Sequence, residues 1–173
     1  TLSSSSAASD VYKRQNLLRG PYRPPQYRRV MIPLTVLRRL DCVLEETKDD
    51  VLAMHKALKA ETKIKDGEKV AKYDTETIEK IINQKFGLTF HNTSEFTFKK
   101  LMGDADKLAP NLLNFMAGFS SRARKIVEKF KFDEEIEKLE EANRLFLVMQ
   151  KMEEVNLHPK TIPNIAMGYV FED

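Results

Sequence analysis

The stretch Tyr27–Glu46 reads YRRVMIPLTVLRRLDCVLEE, and its apolar residues recur at the spacing of one helical face. Val30, Leu34, Leu37 and Leu44 lie on that face. Three further apolar residues widen it into a stripe that must be buried, namely Val36, Leu40 and Val43. The stretch therefore predicts a long amphipathic helix around which the other elements pack.

Pro33 interrupts this pattern, because its ring nitrogen has no hydrogen to donate to the carbonyl of Arg29. We expect a kink or a fresh helix start there. Arg28 and Arg39 are eleven residues apart, slightly more than three helical turns, so they are predicted to lie within about 20° of each other. One side of the helix therefore faces a core, and another side carries guanidinium groups.

The length and composition predict one helix-rich, soluble domain. The chain has 173 residues, of which 42% are hydrophobic and 32% are charged. Its single cysteine, Cys42, excludes an internal disulfide and a cysteine-rich zinc site, and it is predicted to be a core residue. No apolar run is long enough to span a bilayer and no signal-peptide pattern is visible, so we expect a cytoplasmic protein with no membrane partner.

Positive charge is concentrated at the start of the chain. Residues 1–40 contain eight Lys or Arg and a single acid, Asp10, whereas residues 41–173 contain 21 basic and 25 acidic side chains. The net charge of +3 therefore understates a local excess. A solvated basic helix end and a contact with nucleic acid both fit this distribution.

Further helical patterns follow along the chain. They predict helices at 47–60, 74–86, 95–102, 106–116, 122–130, 133–155 and 162–171. The predicted caps are Thr47, Asp74 or Thr75, Ser94, Ser120 or Ser121, and Asp133. Asp66-Gly67 is a predicted turn, 88–91 is either a short strand or a loop, and Ile126 is predicted to face the core. These patterns indicate an all-α fold, a compact multi-helix bundle with at most one short strand element.

The residues that catalysis or cofactor binding would need are missing. The six glycines lie too far apart to form the Gly-rich turn that lets a backbone approach a nucleotide or S-adenosylmethionine. The three histidines are scattered singly, and the carboxylate runs at 133–135 and 140–141 lie beside lysines on a predicted exposed helix. We therefore expect no catalytic residue, no cofactor site and no metal site in this chain.

Three separated segments resemble the methylase (M) subunit of type I restriction–modification systems, in the order in which the family has them. The first is LLRGPYRPPQYRRVMIPLTVLRRLDCVLEETKDDVL, at Leu17–Leu52. The second is FMAGFSSRARKIVEKFKFDEEIEKLEEANRLFLVMQKMEEVNL, at Phe115–Leu157, and the third is NIAMGYVFED, at Asn164–Asp173. The resemblance implies that residues 16–173 are the helical N-terminal domain of such a subunit, truncated before the catalytic domain.

The resemblance also implies a role for this domain. The parent protein would be an adenine-specific DNA methyltransferase that uses S-adenosylmethionine. This domain would help to grip DNA and to assemble with the specificity (S) subunit, a second M subunit and the restriction (R) subunit. Arg23-Pro24-Pro25 is not the Asn-Pro-Pro-aromatic motif with which such enzymes hold a flipped base, so this part is not expected to methylate DNA by itself; the missing Gly-rich turn likewise predicts no cofactor here.

Seven basic residues are the predicted DNA contacts, namely Arg28, Arg29, Arg38, Arg39, Arg122, Arg124 and Lys125. Lysine and arginine on rigid helices can hold phosphates without reading the base sequence. Arg38 has Asp41 three residues on, which predicts a local ion pair. We therefore expect Arg28 and Arg39 to contribute more to DNA binding than Arg38. The competing interpretation is that these arginines bind an acidic surface of the S subunit or of the rest of the M subunit.

Residues 1–15 have no periodicity and no apolar face, and SSAASDVYKRQ, at Ser5–Gln15, resembles a translated sequencing adapter. A natural disordered tail is the alternative, and in both cases we expect that deleting residues 1–15 leaves the melting temperature unchanged. Two other functions stay open for the domain. One is a helical adaptor unrelated to methylation, and the other is a DNA-binding regulator, although no clear helix-turn-helix is present.

Overall fold

Eight α-helices and one β-hairpin make up the described part of the chain, which is Leu18, Gly20 and residues 22–163 of a computed structural model. The helices are α1 (Arg28–Leu44), α2 (Lys48–Ala60), α3 (Thr75–Phe86), α4 (Phe98–Met102), α5 (Leu108–Ala117), α6 (Ser121–Glu128), α7 (Phe132–Glu141) and α8 (Leu145–Glu153). The antiparallel strands are β1 (Thr62–Lys65) and β2 (Glu68–Ala71), and short 3-10 helices lie at Pro24–Gln26 and Ala105–Lys107. The predicted, mainly helical fold is confirmed.

Helix α1 is the central element, and it continues through Pro33 without a break. Its predicted stripe is buried, since Val30 and Leu34 are fully enclosed and Leu37 is 1% exposed. The fresh helix start expected at Pro33 is therefore wrong. Burying the stripe outweighs the effect of one proline, because each enclosed aliphatic side chain contributes about 1.5–3 kcal/mol against about 3 kcal/mol for the proline.

Helices α1 and α4–α8 share one apolar core, and we call this part of the protein the body. Helix α1 packs against α7 and α8, and α8 also packs against α4 and α5. The rings of Phe98, Phe115 and Phe119 meet edge to face within this core, with successive centroids 6.0 and 5.2 Å apart. Cys42 lies in the same core, as predicted, and burial raises the pKa of its thiol.

Residues 48–86 form a second unit, which we call the arm, and it consists of α2, the hairpin and α3. The two helices pack mainly against each other, around a small core of Val51, Leu58, Ile78 and Ile82. The hairpin turns at Asp66-Gly67, as predicted, and both residues have positive φ, of 52° and 79°. Residues 88–91 form a loop, which is one of the two alternatives predicted for them, and the two strands of the described residues lie at 62–71 instead. The hairpin buries no face, so its sequence carries no apolar alternation by which a strand is recognised.

The predicted caps are only partly confirmed. Asp74 caps α3, since its Oδ1 accepts a hydrogen bond of 2.7 Å from the amide of Thr77, and Gly87, at φ 64°, ends that helix. The prediction for Ser94 is wrong: α4 begins later, with Thr97 as its cap. The hydroxyl of Ser94 instead accepts a hydrogen bond from the amide of Phe96, and that of Thr47 donates to the carbonyl of Leu44, the last residue of α1. A sequence pattern therefore identifies candidate capping hydroxyls but does not predict their hydrogen-bond partners.

The predicted helix 133–155 is two helices, α7 and α8, and α7 begins before the expected cap Asp133. Asn143 lies between them in the left-handed conformation, at φ 56°, which asparagine tolerates. The amide of Arg144 donates to the carbonyl of Leu139 at 2.8 Å and closes the end of α7. The break allows both short helices to pack on α1. The prediction that Ile126 faces the core is also wrong, since its side chain is 53% exposed.

Two further expectations, for residues 1–15 and for a last helix that reaches residue 171, fall outside the described residues.

Candidate nucleic-acid interface

Arg28 and Arg29 are exposed in the first turn of α1. The N-terminal end of a helix carries a partial positive charge, so cations there weaken the helix slightly rather than support it. No acidic residue is present in this turn to offset them. The two arginines therefore form a positive end on the central helix of the body, in a position suited to an anionic partner.

Arg38 is committed to the fold. Its Nη1 lies 2.8 Å from Oδ2 of Asp41, so the predicted local ion pair is confirmed. Its Nε also donates to the carbonyl of Val155 at 2.9 Å, and its guanidinium lies 5.5 Å from the centre of the Phe98 ring. Asp41 is buried in turn, and burial raises its pKa against the opposing effect of Arg38. These contacts tie α1 to α4 and to the segment that follows α8.

Arg39 does not lie beside Arg28 on an exposed face, and this expectation is wrong. The residue is 8% exposed, and its Nη1 donates to the carbonyls of Leu157, at 2.7 Å, and Ile162, at 2.5 Å. Burial also lowers the pKa of its guanidinium. Helical spacing correctly gives the direction of Arg39 from the axis, but the segment 155–162 covers that side of α1. A phosphate cannot reach the group while this segment is in place.

The three basic residues of α6 lie in different surroundings. Arg122 and Lys125 are exposed, whereas Arg124 is half-buried and lies 3.7 Å from Glu128. Arg122 borders a groove of about 400 Å³ that is otherwise mainly apolar, with Val36 and Leu40 of α1 on one wall and Ala123 and Ile126 of α6 on the other. Arg124 lines a separate, polar cleft. The seven predicted residues therefore do not form one continuous patch.

A buried polar junction, which the sequence did not reveal, joins the arm to the body. Lys48, the first residue of α2, is only 6% exposed, and its Nζ donates to Oδ1 of Asn92 at 3.0 Å. Asn92 also donates from Nδ2 to the carbonyl of Phe115 at 2.8 Å and accepts from the amide of Ser94 at 2.8 Å. Burial lowers the pKa of Lys48 to about 8, with Asp41 opposing the shift. The sequence near Lys48 does not indicate that this lysine is buried, because its partner Asn92 lies 44 residues away.

Gly118 is essential to the same junction. The amide of Thr93 donates to its carbonyl at 2.8 Å, and the amide of Ser120 donates to the carbonyl of His91 at 2.8 Å. A side chain at residue 118 would place its Cβ 2.7 Å from the amide nitrogen of Ser94 and from Oδ1 of Asn92. Only glycine allows the two backbones to approach this closely.

A polar cleft of about 230 Å³ lies between the arm and the body. On the arm side, Glu79 of α3 accepts hydrogen bonds from the amide and the hydroxyl of Ser121, at 3.1 and 2.9 Å, and so caps α6. On the body side, the buried His91 places Nδ1 2.7 Å from Oδ1 of Asn83. Burial lowers the pKa of His91, with Glu79 opposing and His55 adding to the shift. The cleft residues are thus used largely to hold the two units together.

The sequence of the chain also matches a known protein family. The family model for the HsdM N-terminal domain, which belongs to the methylase subunit of type I restriction–modification systems, matches residues 7–152. The chain belongs to this family. No curated protein and no solved structure matches the chain significantly. The family match begins within residues 1–15 and ends before the third segment that carried the resemblance, Asn164–Asp173.

Two features of the described residues of this HsdM N-terminal domain concern metal ions and membranes. They contain no group of three or more His, Cys, Asp and Glu side chains that could hold a metal ion. None of the helices described is both long and apolar enough to cross a membrane. The buried titratable residues all have partners within the fold. Lys48 and His91 lie at the junction between the arm and the body, and Asp41 pairs with Arg38 within the body.

Proposed function

We propose that this HsdM N-terminal domain is the non-catalytic, DNA-holding part of an adenine-specific DNA methyltransferase that uses S-adenosylmethionine. The observation that carries the proposal is the pair Arg28 and Arg29 at the exposed first turn of α1, in a chain whose family is that of the M subunit. The domain would hold DNA through phosphates, while the methyl transfer would take place in the catalytic domain of the parent protein.

The chemistry of base methylation supports a separate gripping domain. An enzyme that modifies a base extrudes it from the duplex, which costs a few kcal/mol of stacking and pairing energy. Contacts with the backbone on both sides of the target offset this cost and carry no base identity. Sequence choice would then belong to the S subunit, and the domain would assemble with S, with a second M subunit and with the R subunit in the cytoplasm.

The test is a salt titration of DNA binding by the parent M subunit assembled with S. Replacing both arginines, Arg28→Ala with Arg29→Ala, should reduce the slope of log affinity against log salt by about 0.9 for each phosphate contact that the substitution removes. All duplex sequences should be weakened similarly. The matched control, Arg28→Lys with Arg29→Lys, keeps the charge and should keep most of the slope.

The same variants separate DNA contact from protein contact. If the salt slope is unchanged while assembly with S is impaired, these arginines bind a protein surface and the DNA role is wrong. A separate measurement tests the absence of a cofactor site: calorimetric titration of the 173-residue chain with S-adenosylmethionine should show no binding. A micromolar dissociation constant with unit stoichiometry would contradict that expectation.

A further inference from the structure

The β-hairpin of the arm is exposed along almost its whole length. All eight residues from Thr62 to Lys69 are exposed, and only Val70 of the two strands is half-buried. The strands hydrogen-bond to each other in the register Thr62–Ala71, Lys63–Val70, Ile64–Lys69 and Lys65–Glu68. A two-stranded ribbon gains little stability by itself. An exposed ribbon of this kind is therefore a surface element, and its side chains are available to a partner.

Its three lysines are not used within the fold. Lys63, Lys65 and Lys69 make no ion pair with any residue that the structure describes, and all three are exposed. At the base of the ribbon the situation differs, since Nζ of Lys72 lies 3.5 Å from Glu61 and 5.2 Å from the centre of the Tyr73 ring. Lys72, at the base of the ribbon, is thus paired within the arm, whereas the three lysines of the strands form no such pair with a described residue.

The two faces of the ribbon carry different charged residues. Residues directly opposite each other in an antiparallel pair share a face, so Ile64 and Lys69 lie together, with Thr62 and Ala71 behind them. This face contains no acid. The other face carries Lys63 and Lys65 but also Glu68, and Asp66 lies in the turn. The face of Ile64 and Lys69 is therefore the one better suited to approach a polyanion, and Ile64, at 71% exposed, is the apolar group on it.

The dimensions of the ribbon fit duplex DNA. The major groove of B-DNA is about 12 Å wide and admits a two-stranded ribbon. Each four-residue strand extends about 13 Å along the ribbon. Lysines along such a ribbon can reach phosphates on the groove edges. A protein partner that adds a strand to the ribbon is the other way to use its edges, but it would leave the three lysine charges without a role.

We propose that residues 62–71 are a DNA-contacting ribbon, separate from the arginines of α1. Ile64 and Lys69, on the face without an acid, would enter the groove, with Ile64 against the groove wall and Lys69 on a phosphate. Lys63 and Lys65, on the other face, would reach phosphates along the groove edges. This inference rests on the proposed function, since it takes DNA as the molecule that the domain holds. It assigns the arm, and not only the body, to the DNA surface.

The experiment uses the assembled M and S complex and a fluorescent duplex, titrated at several salt concentrations. Replacing the three lysines together, Lys63→Gln, Lys65→Gln and Lys69→Gln, should reduce the salt slope by up to about 0.9 for each lysine that binds a phosphate in the wild type. The melting temperature should stay unchanged, because the side chains are exposed. Lys80→Gln is the matched control, since this exposed lysine of the arm is paired with Glu76 at 3.2 Å and should leave the slope unchanged.

Ile64→Thr tests the apolar contact separately, because threonine also favours strands. It should weaken DNA binding several-fold at every salt concentration without changing the slope. If the triple lysine variant keeps the wild-type slope while the variant of Arg28 and Arg29 shows a reduced one, the ribbon proposal is wrong and the proposed function stands. If neither variant changes the slope, the proposed function fails as well. Loss of S-subunit binding in the triple variant, with DNA binding intact, would identify the ribbon as a protein-binding element and overturn the proposal.

Discussion

The body and the arm are both built on helices, but different interactions hold them. The body encloses a continuous apolar core with three aromatic rings in edge-to-face contact. The arm has a core of four buried residues, and polar contacts such as Lys48–Asn92 and Glu79–Ser121 join it to the body. Apolar burial therefore decides whether the body folds, whereas a few hydrogen bonds decide where the arm lies.

The largest effect is expected in the body. Phe115 is 1% exposed and contacts Phe98 and Phe119, so Phe115→Ala should lower the free energy of unfolding by about 3–5 kcal/mol. Urea denaturation followed by circular dichroism measures this change. The control is Leu113→Ala on the same helix, since Leu113 is 42% exposed. A loss below about 1 kcal/mol for Phe115→Ala would mean that this core readily rearranges.

A core substitution in the arm should act locally instead. Ile82 is fully enclosed, and Ile82→Ala removes about 2–5 kcal/mol of packing. The loss should appear as faster amide hydrogen exchange in α2 and α3, with little change in α1 and α8. Gln84→Ala, at an exposed position of α3, is the control. Equal acceleration in both units would show that they unfold together and that the distinction between them is wrong.

Gly118→Ala tests the junction between the two units. The new methyl group would lie 2.7 Å from the backbone nitrogen of Ser94, which cannot move aside as a flexible side chain can. Overpacking of this kind typically costs about 1–3 kcal/mol, which a thermal melt can detect. Gly103→Ala should cost much less, since its nearest contact would be 3.3 Å from the carbonyl of Lys100. Similar melting temperatures for the two variants would argue against a tight junction.

A smaller effect should follow from Glu79→Ala, which removes the cap of α6. Loss of a helix N-cap typically costs about 1 kcal/mol. The measurement is chemical denaturation, with Glu76→Ala as the control, because Glu76 is exposed and pairs only with Lys80 on the surface. If the two variants are equally stable, the bond to Ser121 contributes nothing measurable.

The smallest effect concerns pH. Burial lowers the pKa of His91, so the unfolded chain binds a proton more readily than the folded protein does. The stability is therefore fully present above the unfolded pKa of about 6.5 and decreases as the pH falls through that value toward the folded pKa. His91→Gln should make the loss of stability between pH 7 and pH 5 shallower than in the wild type. An identical pH profile would mean that His91 does not contribute to it.

The sequence predicts best those features that a single element determines. The stripe of α1 and the cap and stop of α3, Asp74 and Gly87, depend on residues within a few positions of each other. Arg39 shows the limit, because its partners are carbonyls 118 and 123 residues away. The same holds for Lys48 and Asn92. The strands of the hairpin could not be predicted for a different reason. They bury no face, so their sequence does not alternate between apolar and polar residues.

The residues of the candidate site show the same limit of prediction from sequence. The exposure of Arg28, Arg29, Arg122 and Lys125 agrees with their predicted place on the surface, and their contact with DNA stays a prediction. Residue type alone groups Arg38 and Arg39 with them, because it does not distinguish a binding arginine from one that holds backbone carbonyls. The difference arises from the segment 155–162, whose position over α1 no local pattern encodes.

Cys42 makes that segment experimentally visible. The thiol is buried against the backbone of Leu157, and burial raises its pKa, so the reactive thiolate is both scarce and shielded. Labelling of this buried sulfur by an alkylating reagent should therefore become faster when the segment 155–162 moves away from α1. Because the chain has a single cysteine, the rate of labelling reports on this site alone. The labelling rate of Cys42 thus measures how often α1 and the segment 155–162, which are distant in sequence, separate from each other.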